Sequence, residues 1–344
     1  MEITRLFLIK KFGEYYANAD LYIPKDLEKR EFAFVPLEQF PDFVMHRHMA
    51  FSSDHELKTY LRSNVPAHAY YSTAYYSNPS AEMEEKGWMG ADLIFDIDAD
   101  HLPKRSLKAA KIEVLKLVKI LEEDFGVDER CVEIVFSGRR GYHVHIYDER
   151  FRSLGSAERR EIVDYLTLNS LKNPESRQMK RIARCIAKYV ENAIKDGRIE
   201  RMLEKENEAM KTILKTNLKV IAEGDFSLLP KEVFDRAYNL CLSRLAVHVD
   251  PPVTADIKRL IRLPNSLHGK TGLKVTPIPL DEFEDFDPLR DAVVFGDEMV
   301  KVRILKRVRV RLKGEEFRLT PGKGKVPEYL AVFLICRGVA LYGH

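Results

Sequence analysis

Hydrophobic and polar positions change period several times along the chain. "REFAFVP" (Arg30–Pro36) and "AHAYYSTAYYSNPS" (Ala67–Ser80) carry strand-forming residues, and the turn formers Asn-Pro-Ser close the second. Residues 1–90 otherwise read as short apolar runs separated by turns. "ADLIFDIDAD" (Ala91–Asp100) predicts a strand from its Leu-Ile-Phe run. In "SLKAAKIEVLKLVKILEEDFG" (Ser106–Gly126), Ala110, Val114, Leu117, Val118, Leu121 and Phe125 recur at helical spacing and Gly126 supplies the stop. "CVEIVFSGRRGYHVHIYD" (Cys131–Asp148) predicts strand, glycine-bounded turn, strand, which is a β-hairpin.

From residue 156 to 245 the pattern turns helical and highly charged. The expected organisation is therefore an α/β core from residues 1–160 and 247–344, with a helical subdomain inserted at 161–246. "DIKRLIRLP" (Asp256–Pro264) predicts a further helix stopped by Pro264, with Arg259 and Arg262 three apart on one side. "VRILKRVRVRLKG" (Val302–Gly314) alternates as a strand, placing Arg303, Arg307, Arg309 and Arg311 on one face. Such a face could track a nucleic-acid backbone, or it could be an edge strand kept soluble by charge. The fold class expected is α/β (α+β) with a mostly antiparallel central sheet, because one chemistry-bearing segment is a hairpin.

Composition narrows the function classes. No apolar run approaches the ~20 residues of a membrane span, and the first twenty residues are too charged for a secretory signal, so an intracellular protein is expected. Net charge is only +3, so any nucleic-acid site must come from local clustering. The four cysteines, at 131, 185, 241 and 336, lie far apart in sequence. That spacing argues against a zinc site or a disulfide and for buried free thiols.

Three segments carry candidate chemistry. On a strand Asp96 and Asp98 share one face, and two carboxylates at that spacing do not both stay ionised cheaply without a cation between them. A hard divalent ion, Mg²⁺ or Mn²⁺, answers that need. An EF-hand loop is excluded, because its sixth and twelfth positions would fall on His101 and Leu107. A phosphatase of the haloacid-dehalogenase type also begins Asp-x-Asp, but it continues with Thr rather than Ala99-Asp100. In "SGRRGYHVH", Ser137, Arg139, Arg140, His143 and His145 gather around Gly138 and Gly141, the ingredients of a phosphate cradle without the Lys-Ser/Thr ending of a P-loop. "HVDPPVTADIKRLIRLPNSLHGKTG" (His248–Gly272) adds Asp250 and Asp256, then Lys258, Arg259, Arg262, His268 and Lys270. Carboxylates for two metal ions plus a cationic phosphate cradle is the set that nucleotidyl transfer requires. A metal-dependent phosphatase or nuclease, or a non-catalytic nucleic-acid-binding subunit, are the competing readings.

"FDIDADH", "SGRRGYHVHI" and "IRLPNSLHGKTG", in this order, resemble the three motifs of the archaeal and eukaryotic DNA primase catalytic (small) subunit. "REFAFVP", "MHRHMAF", "EEDFGV", "SAERREIVDYLTL" and "EDFDPL" extend the resemblance over roughly residues 28–290. It implies synthesis of short RNA primers from NTPs on single-stranded DNA, a large-subunit partner in a heterodimer, and a cytoplasmic archaeal rather than nuclear setting. It implies Asp96, Asp98 and a third aspartate as ligands of two Mg²⁺ or Mn²⁺ ions; the family's spacing of eighteen positions before the motif histidine selects Asp250 over Asp256. It assigns the triphosphate to Ser137, Arg139 or Arg140, His143, Arg262 and His268. Arg47 in "MHRHMAF" matches a family arginine near the active site. The family's zinc knob, which follows the first motif, has no cysteine here, so no zinc is expected.

Overall fold

A computed structural model describes residues 2–39, 42–169, 176–202 and 208–343. The parts of the expected helical insertion at 170–175 and 203–207 lie outside the described residues. The chain divides into two compact units, residues 1–114, 127–157 and 250–344 in one, and 115–126 and 158–249 in the other.

The first unit opens with α1 (Glu2–Asn18), which buries Phe7, Leu8, Phe12 and Tyr16. The sequence reading of short apolar runs and turns did not anticipate this helix. β1 (Phe32–Pro36), β2 (His46–Met49), α2 (Asp54–Asn64), β3 (Pro66–Ser72), β4 (Ala74–Tyr76), β5 (Trp88–Ala91) and β6 (Leu93–Asp98) follow. Then come α3 (Leu107–Phe125), whose first eight residues belong to this unit and whose Ala109 N–H is capped by Ser106 Oγ at 3.1 Å, and the hairpin of β7 (Val132–Phe136) and β8 (Gly141–Ile146).

The second unit holds α4 (Ser156–Thr167), α5 (Arg177–Lys195), α6 (Arg198–Met202), α7 (Glu208–Thr216), α8 (Leu218–Glu223) and α9 (Lys231–Leu245). Its core includes Ile182, Ile186, Val190, Leu214, Ile221, Val233 and Ala237. Here the cysteine expectation is corrected. Cys185 on α5 and Cys241 on α9 form a disulfide across 56 residues of sequence, while Cys131 and Cys336 are free. Spacing along the chain misled, because α5 packs on α9 and brings the two Cα atoms to 5.9 Å.

The first unit resumes with α10 (Pro251–Ala255), β9 (Leu260–Arg262), β10 (Thr276–Ile278), α11 (Pro288–Asp291), β11 (Met299–Ile304), β12 (Val308–Leu312), β13 (Glu315–Leu319), β14 (Gly322–Pro327), α12 (Glu328–Cys336) and β15 (Ala340–Tyr342). Two four-stranded sheets form the centre, in the orders β2-β1-β3-β9 and β10-β7-β8-β6. The strand pairs described are all antiparallel, which makes the fold α+β. β8 is buried along its whole length because β7 and β6 flank it.

Two further expectations change. The helix expected from Asp256 is instead a turn leading into β9, where Tyr70 and Tyr71 of β3 pair with Arg262 and Ile261. A nine-residue window admits either period, and the free edge of β3 decided the outcome. The arginine-rich strand breaks at Leu305–Arg307. β11 joins a sheet of order β14-β11-β15, whereas β12 pairs with β13 in a separate two-stranded sheet, so Arg303 does not share a strand with Arg309 and Arg311.

Candidate active site

The acidic segment is aimed by strand pairing. β6 and β8 set Asp96 opposite His143 and Asp98 opposite Gly141. Residues directly opposite on antiparallel strands point the same way. His143 Nε2 accordingly lies 3.9 Å from Asp96 Oδ1. Phe95 and Ile97, on the other face, are buried. Position 141 admits only glycine, because a Cβ there would meet Ile97 O at 2.4 Å and Asp98 Cα at 3.0 Å. That close approach brings the basic turn against the acidic strand.

Asp98 Oδ1 accepts the Asp100 N–H at 2.8 Å and caps the tight turn Ala99–His101. Asp100 is itself engaged by Arg140. Asp250 enters from α10, its N–H donating to Asp96 O at 2.9 Å. Burial, then the charges of Asp98 and Asp250, push the Asp96 carboxyl up to about 7, against the opposing pull of Arg259 and Arg262. Asp256 instead ends α10 and accepts the Lys258 N–H at 2.9 Å.

The second and third segments lock together. In the turn between β7 and β8, Ser137 Oγ accepts the Gly141 N–H at 3.3 Å. Gly138, at φ +82°, is pressed so closely on His268 that a Cβ would stand 2.6 Å from its Cβ. Thr271 Oγ1 donates to Gly138 O at 2.6 Å. Arg262 Nη1 is 2.9 Å from His68 Nδ1, and the guanidinium lies over the Tyr70 ring. The rings of His68 and His268 meet edge to face at 4.8 Å. Burial, reinforced by Arg262, holds His68 and His268 far below the usual histidine range, and burial beside His145 does the same to His143. These histidines are therefore neutral hydrogen-bonding groups rather than cations. His68 Nε2 and His143 Nδ1 are buried without a partner, an arrangement that calls for a bound group or water.

Arg139 and Arg140 part company at the turn. Both are exposed, but Arg140 is bound to Asp100, whereas Arg139 has no acidic partner among the described residues and lies near Arg262 and His268. A groove of about 1210 Å³ is lined by basic residues that include Arg139, Arg140, Lys270 and Arg337 and by apolar ones that include Leu305 and Leu341.

Arg47 takes a different place from the other candidates. Its guanidinium is held by both oxygens of the buried Glu31, at 3.0 and 3.3 Å, on β2, the opposite edge of the sheet from Arg262. His68, which anchors Arg262, was not singled out in the sequence; the only signal was a polar residue inside the apolar "AHAYY". Among the described residues no group of three or more His, Cys, Asp or Glu side chains stands ready as a complete metal-ligand set.

The result is an α+β protein in which an acidic strand end faces a basic turn lined by arginines and neutral histidines. The family model of the DNA primase small subunit matches residues 95–280, which span all three segments. The chain is 48% identical to DNA primase small subunit PriS of Archaeoglobus fulgidus, with 99% of each chain covered. It is 40% identical to the protein of the same name from Methanosarcina barkeri, over 99% of this chain and 97% of that one, and 39% identical to that of Methanococcoides burtonii, over 99% of each. The chain belongs to the DNA primase small subunit family. No helix among the described residues is long and apolar enough to cross a membrane.

Proposed function

We propose that the chain is the catalytic subunit of a DNA primase, which joins NTPs into short RNA primers on single-stranded DNA in partnership with a large subunit. The observation that carries the reading is the crowding of Asp98 and Asp250 on Asp96, which stands opposite His143 and feels Arg262. Two like charges beside one half-buried carboxylate suit a hard divalent cation. Mg²⁺ typically takes one or two protein carboxylates and completes its shell with water and substrate phosphate, so the incomplete protein set fits it. Asp96, Asp98 and Asp250 would hold two Mg²⁺ or Mn²⁺ ions, which would supply activation of the attacking 3′-hydroxyl and charge stabilisation for the departing pyrophosphate.

The chain's own groups supply the rest. Arg139 is the unpaired guanidinium at the turn and takes phosphate oxygens bidentately. Arg262 is oriented by His68 and adds a second fixed charge. Ser137 Oγ already accepts the Gly141 N–H, which leaves its hydroxyl proton to donate. His268 Nδ1 faces the Lys270 N–H at 3.2 Å, so Nε2 carries the proton and donates. His143 lies 3.9 Å from Asp96, feels the charge of Arg262 and contributes a neutral group without adding charge. Arg140 steadies the turn through Asp100, and Arg47 serves the Glu31 ion pair.

Primer synthesis on single-stranded DNA with NTPs and Mg²⁺ or Mn²⁺ tests the assignment. Asp96→Ala with Asp98→Ala abolishes primers while the circular dichroism spectrum stays native. Asp250→Ala does the same, and Asp256→Ala retains activity. Primers from the double variant, or their loss from Asp256→Ala alone, would show the carboxylate set to be wrong.

A further inference from the structure

Apart from the acidic centre, the first unit carries a second concentration of charge. β11 pairs with β14 so that Lys301 stands opposite Lys325 and Arg303 opposite Lys323. All four are exposed and share one face. The alternate positions Val300, Val302, Ile304 and Val326 form the other face, where Val302, Ile304 and Val326 are buried. Like charges directly opposite each other repel, and none of the four has an acidic partner among the described residues.

The neighbouring hairpin provides an internal contrast. On β12 and β13, Arg309 is held by Glu316 at 2.9–3.0 Å, Arg318 reaches the same carboxylate at 2.7 Å, and Lys313 pairs with Asp297 at 2.7 Å. That hairpin gives Arg309, Arg318 and Lys313 acidic partners; among the described residues the β11–β14 face gives its four cations none. Protection of a sheet edge by lysine accounts for Lys323 and Lys325 on the edge strand β14 but not for Lys301 and Arg303, because β11 is the central strand of its sheet.

We infer that the outward face of β11–β14 binds the phosphate backbone of a nucleic-acid duplex through Lys301, Arg303, Lys323 and Lys325. Three observations select this occupant. Unpaired cations on adjacent strands make a polyanion-binding surface. The face offers no aromatic side chain: its other residues are Met299, Pro327 and, across from Arg303, Leu341 of β15. A single strand needs stacking platforms for its bases, whereas a duplex turns its bases inward and presents phosphate alone. Finally, Leu341 also lines the groove that Arg139 and Lys270 line, so the face adjoins that groove. On the proposed function, the duplex is the primer–template hybrid; the binding surface itself does not depend on that reading.

The test measures binding, so it stays separate from catalysis. Fluorescence anisotropy follows the full-length chain on an RNA–DNA hybrid, on a DNA duplex and on single-stranded DNA, at about 50 to 300 mM salt. The variant carries Lys301→Gln, Arg303→Gln, Lys323→Gln and Lys325→Gln. Its slope of log affinity against log salt on duplex should fall by about 3–4, or about 0.9 per phosphate contact, with a loss on the order of fivefold to tenfold per contact at about 0.1 M salt. Extension of a saturating primed template should keep its rate and its KM for NTP. A control carrying Arg309→Gln and Arg318→Gln in the salt-bridged hairpin should leave the slope unchanged, and matching thermal melts exclude unfolding. An unchanged slope in the four-site variant overturns the proposal. So does an equal loss from the control, which indicates net charge alone, a larger loss on single strands than on duplex, or a loss confined to binding an acidic protein partner.

Discussion

Replacing Asp96 with asparagine should stabilise the metal-free protein while removing its activity. Folding raises the Asp96 carboxyl from its ordinary 3.8 to about 7 through burial and the charges of Asp98 and Asp250. A rise of that size corresponds to about 4 kcal/mol of differential free energy. The side chain keeps 25% of its surface accessible, so screening reduces this to about 2 kcal/mol. The folded state binds more protons than the unfolded one between pH 3.8 and about 7, and stability therefore falls as pH rises through that window. Below it both states are protonated and Asp96 contributes nothing; above about pH 7 the full penalty applies. The amide of the Asp96→Asn variant carries no charge at any of these values. In EDTA at about pH 8 the variant should therefore melt roughly 4–8 °C above the parent, and the gap should close toward about pH 4. Adding Mg²⁺ should narrow the gap at the alkaline end by raising the parent's Tm, because a ligand that binds only the folded state stabilises it. Differential scanning calorimetry with and without EDTA reads all of this. A variant no more stable than the parent at alkaline pH without metal would refute the charge-crowding argument and, with it, the reason for placing a cation there.

Gly141→Ala forces a Cβ to 2.4 Å from Ile97 O; a loss of about 1–3 kcal/mol in chemical denaturation and a severe fall in primer synthesis are expected, since nothing but backbone stands in the way. Arg139→Ala should raise the KM for NTP roughly tenfold to a hundredfold, by loss of a charge-assisted hydrogen bond worth about 1.5–3 kcal/mol, while Arg140→Ala, already committed to Asp100, should raise it less; equal effects in steady-state kinetics would contradict the division of labour at the turn. Cys185→Ser, or reduction of the parent, should cost the helical unit up to about 4 kcal/mol, the loop-closure value for 56 residues, and calorimetry with and without reductant reads the difference.

Much of the candidate site was legible in the sequence because its parts are local. Alternation along a strand places Asp96 and Asp98 on one face whatever surrounds them, and glycines at 138 and 141 flanking Arg139 and Arg140 mark a tight turn between two apolar strands. The structure retains both features. Less was legible where two segments distant in sequence had to meet. "DIKRLIRLP" is compatible with either period, and only the free edge of β3 made it a strand, which turned Arg262 onto His68 instead of aligning it with Arg259 along a helix.

Charge patterns show the same limit. "KVRILKRVRVRLKG" looks like one basic stripe, but its arginines act according to their partners across the sheet: Arg309 faces the hairpin that supplies Glu316, while Arg303 faces Lys323. Cys185 and Cys241 met only when α5 packed on α9, and Arg47 was claimed by Glu31, a residue buried in the core with no sequence mark of its own. The sequence alone determined the chemistry available, its grouping into three segments, and the faces on which near neighbours fall, because these depend on backbone periodicity. Tertiary structure decided how Asp250 lies against Asp96, which guanidinium is left without an acidic partner among the described residues, and which cations on β11 and β14 are left unbalanced, because each of those depends on contacts that sequence distance does not encode.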